Sequence, residues 1–406
     1  MARIVMKFGG TSVGDVPRIQ NVARRVKAEV GRGNEVAVVV SAMSGVTNQL
    51  VDYVRQTAPI ADLREYDTAV ATGEQVTVAL LSIALQEIGV SARSWLGWQL
   101  PIRTSDAHGS ARIRSIDTTI IEERFREGQV AVVAGFQGLS DNNRITTLGR
   151  GGSDTSAVAL AAALKAGRCD IYTDVDGVYT CDPRIVTKAR KLDKITYEEM
   201  LEMASQGAKV LQTRSVELAM NHRVRVQVLS SFEDKPGTLV VDEEEIVEQA
   251  VVSGIAYSRD EAKVTLIRVP DRPGVAAGIF GPLAENAINV DMIVQNISLD
   301  GQTTDMTFTV GRADLQRALA VLEQNAAALG NPKIVHDATV AKVSVIGVGM
   351  RSHAGVAQQM FKSLASKGIN IQVITTSEIK ISVLIDEAYT ELALRTLHTA
   401  YGLDAS

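Results

Sequence analysis

Short apolar runs alternate with longer stretches of helical spacing through the first half of the chain. Strands are predicted at 4–8, 35–40, 129–134, 170–172 and 224–230. Several of these runs are apolar at nearly every position, which is typical of strands buried on both faces of a sheet. Helical spacing appears between them at 16–30, 67–88 and 155–166. The alternation predicts a three-layer α/β fold with a mainly parallel sheet, whose ligands bind beyond the carboxyl ends of the strands.

The second half of the chain contains one pattern twice. PGVAAGIFGPLAENAINVDMI at 273–293 is similar to AGVAQQMFKSLASKGINIQVI at 354–374, and both segments follow an apolar strand. Each copy predicts strand, helix, two strands and a further helix, which is a ferredoxin-like order. The alternation of strands and helices gives way to a strand-rich pattern between about residues 232 and 250, where we place the boundary between the halves. The repeat alone could also be a pair of packing modules that only hold subunits together.

Composition narrows the class of protein. The chain has 406 residues, enough for two or three domains. Its net charge is −5 and aromatic residues make up 4%, which excludes a nucleic acid as the main partner. Its apolar runs are shorter than the ~20 residues of a membrane span. The two cysteines have no metal or disulfide spacing, and the N-terminal MARIVMKFGG lacks a signal-peptide pattern, so we expect a soluble cytoplasmic protein.

Two glycine-rich loops follow predicted strands. In the first, Lys7 precedes Gly9 and Gly10, whose N–H groups could approach an anion, although such a pair is often only a tight turn. The second, at 147–154, combines three glycines with Arg150, which suits a carboxylate or phosphate. Ser153 or Asp154 in that loop could simply cap the following helix. The combination of Arg150 with the glycines favours a binding role.

Two further features are ambiguous when taken alone. The loop TDVDGVYTCDPR at 173–184 carries three carboxylates that could position a divalent metal, and Arg184 could meet a polyphosphate. A solvent-exposed hairpin explains the sequence of this loop equally well. Glu74 lies on a predicted helix among apolar residues, where it is either solvated or a ligand-binding group. His108 and the other histidines show no metal spacing, so we expect them to be surface or core residues, and the sequence assigns no metal ligands.

Five motifs in register resemble the aspartate kinase family. They are KFGGTSVG at 7–14, VVSAMSGVTNQL at 39–50, TLGRGGSDTSA at 147–157, TDVDGVYTCDPR at 173–184 and GAKVLQTRSVELA at 207–219. The repeat resembles the paired ACT modules that follow that kinase domain. The resemblance covers essentially the whole chain. It implies an amino-acid-kinase domain at 1–245, a first ACT domain at 246–336 and a second at 337–406. The segment 251–257 could pair with the second ACT domain.

The resemblance implies transfer of the ATP γ-phosphoryl group to the β-carboxylate of L-aspartate, giving 4-phospho-L-aspartate for lysine, threonine and methionine biosynthesis. It implies ATP and Mg²⁺ as cofactors. The implied catalytic residues are Lys7, Asp154 and Lys209. The implied aspartate-binding residues are Ser41, Thr47, Glu74, Arg150, Gly151, Gly152 and Ser153. The implied nucleotide-binding residues are Lys7, Gly9, Gly10, Thr173, Asp174, Tyr179, Asp182, Arg184 and Lys209.

For the repeats, the resemblance implies feedback inhibition by lysine, threonine or both. The implied effector positions are Asp271, Gly274, Asn289, Val290, Asp291, Gln295, Ser298, Asn370, Ile371, Thr376 and Glu378. The copies diverge at Asp271, whose segment becomes Arg351 to Ala354 in the second copy, so the second site binds a different ligand or none. ACT modules shared between subunits imply a homo-oligomer, either alone or with a shorter regulatory subunit.

Two alternatives remain at this stage. One is a kinase of the same fold acting on N-acetylglutamate, glutamate or a nucleoside monophosphate. Glu74 together with Arg150 favours an unmodified amino acid, because a free ammonium group needs an acidic partner. The other is a non-catalytic amino-acid sensor, and the presence of Lys7, Asp154 and Asp174 argues against it.

Overall fold

The computed structural model describes residues 2–208, 210–246, 250–297 and 301–404. They form two compact units. The first comprises 2–178, 191–204 and 210–246, and the second comprises 179–190, 205–208 and the described residues from 250 onward.

The first unit alternates strands and helices as the sequence pattern predicts. Its elements are β1 Arg3–Phe8, α1 Val16–Gly31, β2 Glu35–Val40, α2 Val46–Thr57, α3 Leu63–Val70, α4 Thr72–Glu87, β3 Ala92–Trp95, β4 Ile102–Thr104, β5 Ile113–Ile116, α5 Thr119–Arg126, β6 Val130–Ala134, β7 Gln137–Leu139, β8 Ile145–Thr147, α6 Gly152–Ala163, β9 Arg168–Thr173, β10 Lys194–Thr196, α7 Tyr197–Ser205, α8 Thr213–His222, β11 Val226–Ser230 and β12 Thr238–Val241.

Eight of these strands form one sheet, in the order β10-β12-β11-β9-β1-β2-β6-β3. Every neighbouring pair is parallel except β11 with β12. β1 therefore lies in the middle, and its alternate residues Met6 and Phe8 pack in a core with residues of α1 and α4 such as Val22 and Leu81. The expected α/β fold with a mainly parallel sheet is confirmed. A smaller sheet in the order β5-β4-β7-β8 was not predicted from the sequence.

One helical stretch among the described residues, Leu63–Glu87, is long and apolar enough to cross a membrane by length and composition alone. Half of its apolar window is buried inside the fold, where Val78, Leu81 and Leu85 belong to the core under the sheet. This is the composition of a core helix. The sequence pattern predicted one helix at 67–88, whereas the structure has α3 and α4 with a break at Ala71.

The second unit contains the repeated pattern. Its elements are β13 Gly254–Pro270, α9 Val275–Glu285, β14 Val290–Ile297, β15 Thr303–Val310, α10 Leu315–Gln324, β16 Lys333–Ile346, α11 Val356–Ala365, β17 Val373–Thr376, β18 Lys380–Asp386 and α12 Thr390–Ala400. The strands form one antiparallel sheet in the order β14-β15-β13-β16-β18-β17.

Each copy of the repeat has its own core, and the long strand β13 serves both. Val264 and Phe308 belong to the first core, while Val343 and Leu397 belong to the second. Residues 254–258 of β13 pair with 342–346 of β16. Residues 179–190, which precede the repeats by some 70 positions in the chain, add buried side chains to the second core. This segment therefore folds as part of the second unit.

Candidate active site

A buried ion pair lies at the carboxyl end of the central strand β1. Lys7 Nζ is 2.5 Å from Asp154 Oδ1, and both side chains are only 10% exposed. Because side chains alternate along a strand, Lys7 points away from the core that receives Met6 and Phe8. Asp154 stands in the first turn of α6. The carboxylate offsets the cost of burying the ammonium group, and the pair lies where a parallel α/β sheet binds ligands.

The chain leaves this pair through the first glycine loop. Gly9 is extended, and a one-turn 3₁₀ helix follows from Gly10 to Val13. A Cβ atom at Gly9 would lie 3.4 Å from Lys7 Nζ, and one at Gly10 would lie 3.1 Å from the Ala42 carbonyl oxygen. The loop backbone therefore runs close to the ammonium group and to the end of β2. Glycine leaves that backbone uncovered by side chains, as anion binding to N–H groups requires.

Glu74 is the second buried charge at this end of the sheet. Its side chain is in the first turn of α4, is 3% exposed, and its Oε1 accepts a hydrogen bond from the Ala42 N–H at 3.0 Å. Its Oε2 has no hydrogen-bond partner among the described residues. Burial raises the pKa of Glu74 to about 7, even though the Ala42 N–H opposes that shift. Gly73 permits this approach of α4, because a Cβ atom there would lie 2.8 Å from the Ala42 Cβ.

The second glycine loop begins α6. Gly149 and Gly151 have positive φ angles of 78° and 74°, so glycine is the residue that this turn tolerates best. Arg150 between them is exposed. The helix begins without a side-chain cap, so the alternative in which Ser153 or Asp154 caps it is not what the structure has. Ser153 is buried, and a Cβ atom at Gly135, just after β6, would lie 2.8 Å from its hydroxyl oxygen.

The predicted nucleotide residues are divided between the units. In the first unit, Thr173 ends β9 and its hydroxyl donates to Asp174 Oδ1 at 3.1 Å; Asp174 is exposed. Tyr179, Asp182 and Arg184 belong to the second unit. There the Arg184 guanidinium hydrogen-bonds both oxygens of Asp182, at 3.0 and 2.8 Å, and lowers the pKa of that carboxyl.

The first unit thus brings several predicted residues to one end of the sheet. Lys7, Gly9, Gly10, Ser41, Glu74, Ser153 and Asp154 follow or end the central strands or begin helices there. Thr47 is half-buried in the first turn of α2. Its neighbour Val46 lies close to the start of α4, because a Cβ atom at Gly73 would be 3.4 Å from the Val46 side chain. Lys209 lies outside the described residues.

The carboxylates of the 173–184 loop do not form a metal cluster. Asp176 Oδ2 is 3.2 Å from Lys191 Nζ, and Asp182 is occupied by Arg184. Across 2–208, 210–246, 250–297 and 301–404, no group of three or more His, Cys, Asp or Glu side chains could hold a metal ion. Exposed Asp174 still suits Mg²⁺, because this ion is usually held by one or two carboxylates together with substrate phosphates and water.

The predicted effector positions of the first repeat lie at the start of α9 and along β14. Gly274 precedes α9 with a φ of 90°, Asp271 and Asn289 are exposed, and Val290 begins β14. Asp291 Oδ2 is 2.7 Å from Lys342 Nζ. Burial alone would raise the pKa of Asp291, but the hydrogen bond and charge of Lys342, together with the Met292 N–H, outweigh it and lower that pKa. Gln295 is exposed, and Ser298 lies outside the described residues.

The matching positions of the second repeat are more open. Asn370, Thr376 and Glu378 are exposed and Ile371 is half-buried. Glu378 forms a long contact of 3.6 Å with Arg351. The two copies therefore differ in the carboxylates they could offer to an effector's ammonium group.

Sequence reasoning missed a buried group in the first unit. Asp67 on α3 is fully buried, and its Oδ2 lies 2.7 Å from His108 Nδ1. The sequence did carry a signal for this group, because Asp67 occupies a core-facing position of an apolar helical pattern. A carboxylate at such a position is rarely buried without partners. The expectation that His108 is a surface or core residue did not include this contact.

Comparisons with known proteins agree with the fold and with the motifs. The amino acid kinase family matches residues 2–230, and the ACT domain matches 263–327 and again 343–401. The fold and these matches define an amino acid kinase followed by two ACT domains.

Particular relatives narrow this class. The aspartokinase of Pseudomonas aeruginosa is 59% identical, with 100% of this chain and 98% of that protein aligned. Two crystal structures of E. coli aspartokinase III align with 98% of this chain. The complex with aspartate and ADP, called the R-state, is 28% identical over 99% of its length with a TM-score of 0.81. The complex with lysine and aspartate, called the T-state, is 29% identical over 98% of its length with a TM-score of 0.77. This chain belongs to the aspartate kinase family, enzymes that phosphorylate a carboxyl group (EC 2.7.2.4).

Proposed function

We propose that this chain transfers the γ-phosphoryl group of ATP to the β-carboxylate of L-aspartate at the carboxyl end of β1. One observation carries the assignment of the site. The glycine loop after Lys7 lies against the Ala42 carbonyl oxygen, and Glu74 Oε1 accepts a hydrogen bond from the Ala42 N–H. Glu74 Oε2 has no hydrogen-bond partner among the described residues. A cation for phosphoryl transfer and an anion for an ammonium group are thus built into one strand end.

Phosphoryl transfer to aspartate requires little proton transfer by the protein. The β-carboxylate of aspartate is already ionised at neutral pH. One of its oxygens forms a bond to the γ-phosphorus while the bond to the β,γ-bridging oxygen breaks, which releases ADP. The obstacle is repulsion between two anions, so catalysis depends on cations and N–H donors that are already in place.

Lys7 is the group best suited to that task. Its ammonium stands beside the glycine loop, and Asp154 holds it there at 2.5 Å. We assign Lys7 to the transferring phosphoryl group, Asp154 to the orientation of Lys7, and Gly9 and Gly10 to N–H contacts with phosphate oxygens. Lys209 is also assigned to catalysis, because it lies in the motif at 207–219.

Aspartate itself needs partners for its α-groups. We assign Glu74 to the α-ammonium and Arg150 to the α-carboxylate, with Ser41, Thr47, Gly151, Gly152 and Ser153 around them. The ammonium group of bound aspartate would donate a hydrogen bond to Glu74 Oε2, which has no other partner among the described residues. Its positive charge would stabilise the ionised form of the Glu74 carboxyl. N-acetylglutamate and nucleoside monophosphates have no such ammonium group, which supports a free amino acid as the substrate.

The nucleotide is assigned to Thr173, Asp174, Tyr179, Asp182 and Arg184. Mg²⁺, with Asp174 as its protein ligand, would add positive charge against the phosphates.

For the repeats, we propose inhibition by lysine, threonine or both. The E. coli relative has been crystallised with lysine, which supports the class of effector. We further propose a homo-oligomer formed through the ACT domains, either alone or with a shorter regulatory subunit, and a place in the cytoplasm. The domain boundaries we propose remain those of the sequence, except that 179–190 folds with the second unit.

An assay of ADP release tests the function directly. We expect release that depends on L-aspartate and Mg-ATP and that falls when millimolar lysine, threonine or both are added. N-acetylglutamate, glutamate and a nucleoside monophosphate serve as comparison substrates. ADP release with one of these and not with aspartate would replace the proposed substrate, and indifference to both amino acids would reject the proposed effectors.

A further inference from the structure

Asp67 is a buried carboxylate that the proposed reaction does not use. It lies on α3 without solvent exposure, and it has donors on two other segments. His108 Nδ1 lies 2.7 Å from Oδ2, and the Gly109 N–H donates to both oxygens at 3.0 and 3.1 Å. The Thr147 hydroxyl donates to Oδ1 at 2.5 Å. Asp67 therefore joins the segment around residues 108–109 to the end of β8.

These two segments also touch each other directly. The Ala111 N–H donates to the Thr147 carbonyl oxygen at 2.9 Å. A Cβ atom at Gly149 would lie 3.1 Å from the Gly109 carbonyl oxygen. Gly149 has its positive φ at this point of close approach, so the turn that follows Thr147 is shaped against residues 109–111. Asp67 holds both sides of that contact.

The residue that emerges from this turn is Arg150. It is exposed, and its side chain is long, so its reach is set by where the backbone places its Cα. That backbone is fixed at Thr147, three residues earlier, by the hydroxyl bond to Asp67. Arg214 braces the same stretch, because its guanidinium donates to the Leu148 and Ala111 carbonyl oxygens at 2.8 Å each.

A fully buried carboxylate is costly unless its hydrogen bonds are satisfied, and an apolar residue would pack α3 more simply. Here the carboxylate collects donors from the two segments that shape the Arg150 turn. We propose that Asp67 is a positioning residue for aspartate binding, acting through Thr147 and Gly109 on the turn that presents Arg150. This inference rests on the proposed role of Arg150.

The test compares variants that differ by one hydroxyl group. Thr147→Val keeps the shape of the side chain and removes the donor to Asp67, while Thr147→Ser keeps the hydroxyl. For Thr147→Val we expect a rise of about tenfold in KM for aspartate, as expected for one lost hydrogen bond to a charged group. KM for ATP should stay unchanged, and Thr147→Ser should restore KM for aspartate. Asp67→Asn should shift KM for aspartate in the same direction as Thr147→Val.

The matched control is Asp62→Asn. Asp62 is the N-cap residue of α3 and accepts a hydrogen bond from the Arg64 N–H at 2.8 Å at the surface. We expect this variant to leave both KM values unchanged. Thr147→Val with an unchanged KM for aspartate, or with equal rises in both KM values, would overturn the inference. A wild-type enzyme without aspartate-dependent ADP release would instead overturn the proposed function, so the two failures are distinguishable.

Discussion

The two units each bury a lysine, and the surroundings of the two lysines differ. Lys7 has one carboxylate, Asp154, and lies at a strand end beside uncovered glycine backbone. Lys342 lies within β16, is 5% exposed, and contacts Glu261 at 2.8 Å and Asp291 at 2.7 Å. Burial alone would lower the pKa of Lys342, but the charges and hydrogen bonds of Glu261 and Asp291 together outweigh that effect and raise it.

The two lysines differ in the net charge of the cluster that each forms with its carboxylate partners. Lys7 and Asp154 form a neutral pair, to which an anionic substrate can add. Lys342 with two carboxylates already carries a net charge of −1, so it has no positive charge to offer. Burial of a lysine is therefore a poor indicator of catalysis by itself. An incomplete set of partners beside open backbone indicates a ligand site, and a complete set indicates a structural role.

The largest expected effect comes from Lys7→Ala. The variant removes the cation that faces the transferring phosphoryl group, so we expect kcat to fall by about a thousandfold or more. Steady-state ADP release measures kcat, and circular dichroism checks that the fold is retained. Near-normal turnover in Lys7→Ala would show that the Lys7–Asp154 pair is structural and would erase the contrast with Lys342.

A smaller effect is expected from Glu74→Gln, because one oxygen of the Glu74 carboxylate has no hydrogen-bond partner among the described residues. Losing the charge opposite the substrate ammonium should raise KM for aspartate by about tenfold to a hundredfold, with kcat less affected. In the wild type, KM for aspartate should fall as the pH rises through about 7, because the ionised carboxyl binds the ammonium. In Glu74→Gln that pH dependence should be absent, and its persistence would point to another group.

The same carboxyl has a consequence for stability. Its pKa is about 7 in the fold against 4.5 in its ordinary state. Between these two pH values the folded chain holds a proton that the unfolded chain releases. The free energy of unfolding should therefore decrease as the pH rises across this window, and less so in Glu74→Gln. Thermal unfolding of the ligand-free proteins at several pH values measures the difference.

Local patterns predicted β1, β2, β6, β9 and β11, the glycine loops and the tandem repeat, because each rests on neighbouring residues. The Asp67 network could not be predicted in this way, since His108 and Thr147 are 41 and 80 positions from Asp67 in the chain. The same holds for residues 179–190, whose Cys181 and Val186 have their apolar partners in the distant second repeat. Sequence motifs located the candidate site, and tertiary contacts decide which charges in it are free.

The smallest effect on activity is expected from Lys342→Met. With the cation gone, Glu261 is left buried without its partner, so the free energy of unfolding should drop by about 3 kcal/mol, as for a broken buried ion pair. Removing both buried charges in Lys342→Met/Glu261→Gln should recover much of that loss, because the carboxylate that remains, Asp291, is 55% exposed and stays solvated. Since Lys342 takes no part in phosphoryl transfer, kcat without effectors should stay unchanged at temperatures where the variant is folded. Chemical denaturation measures the stability, and ADP release measures kcat. A loss of kcat in Lys342→Met comparable to that of Lys7→Ala would contradict the view that complete pairing marks a structural lysine.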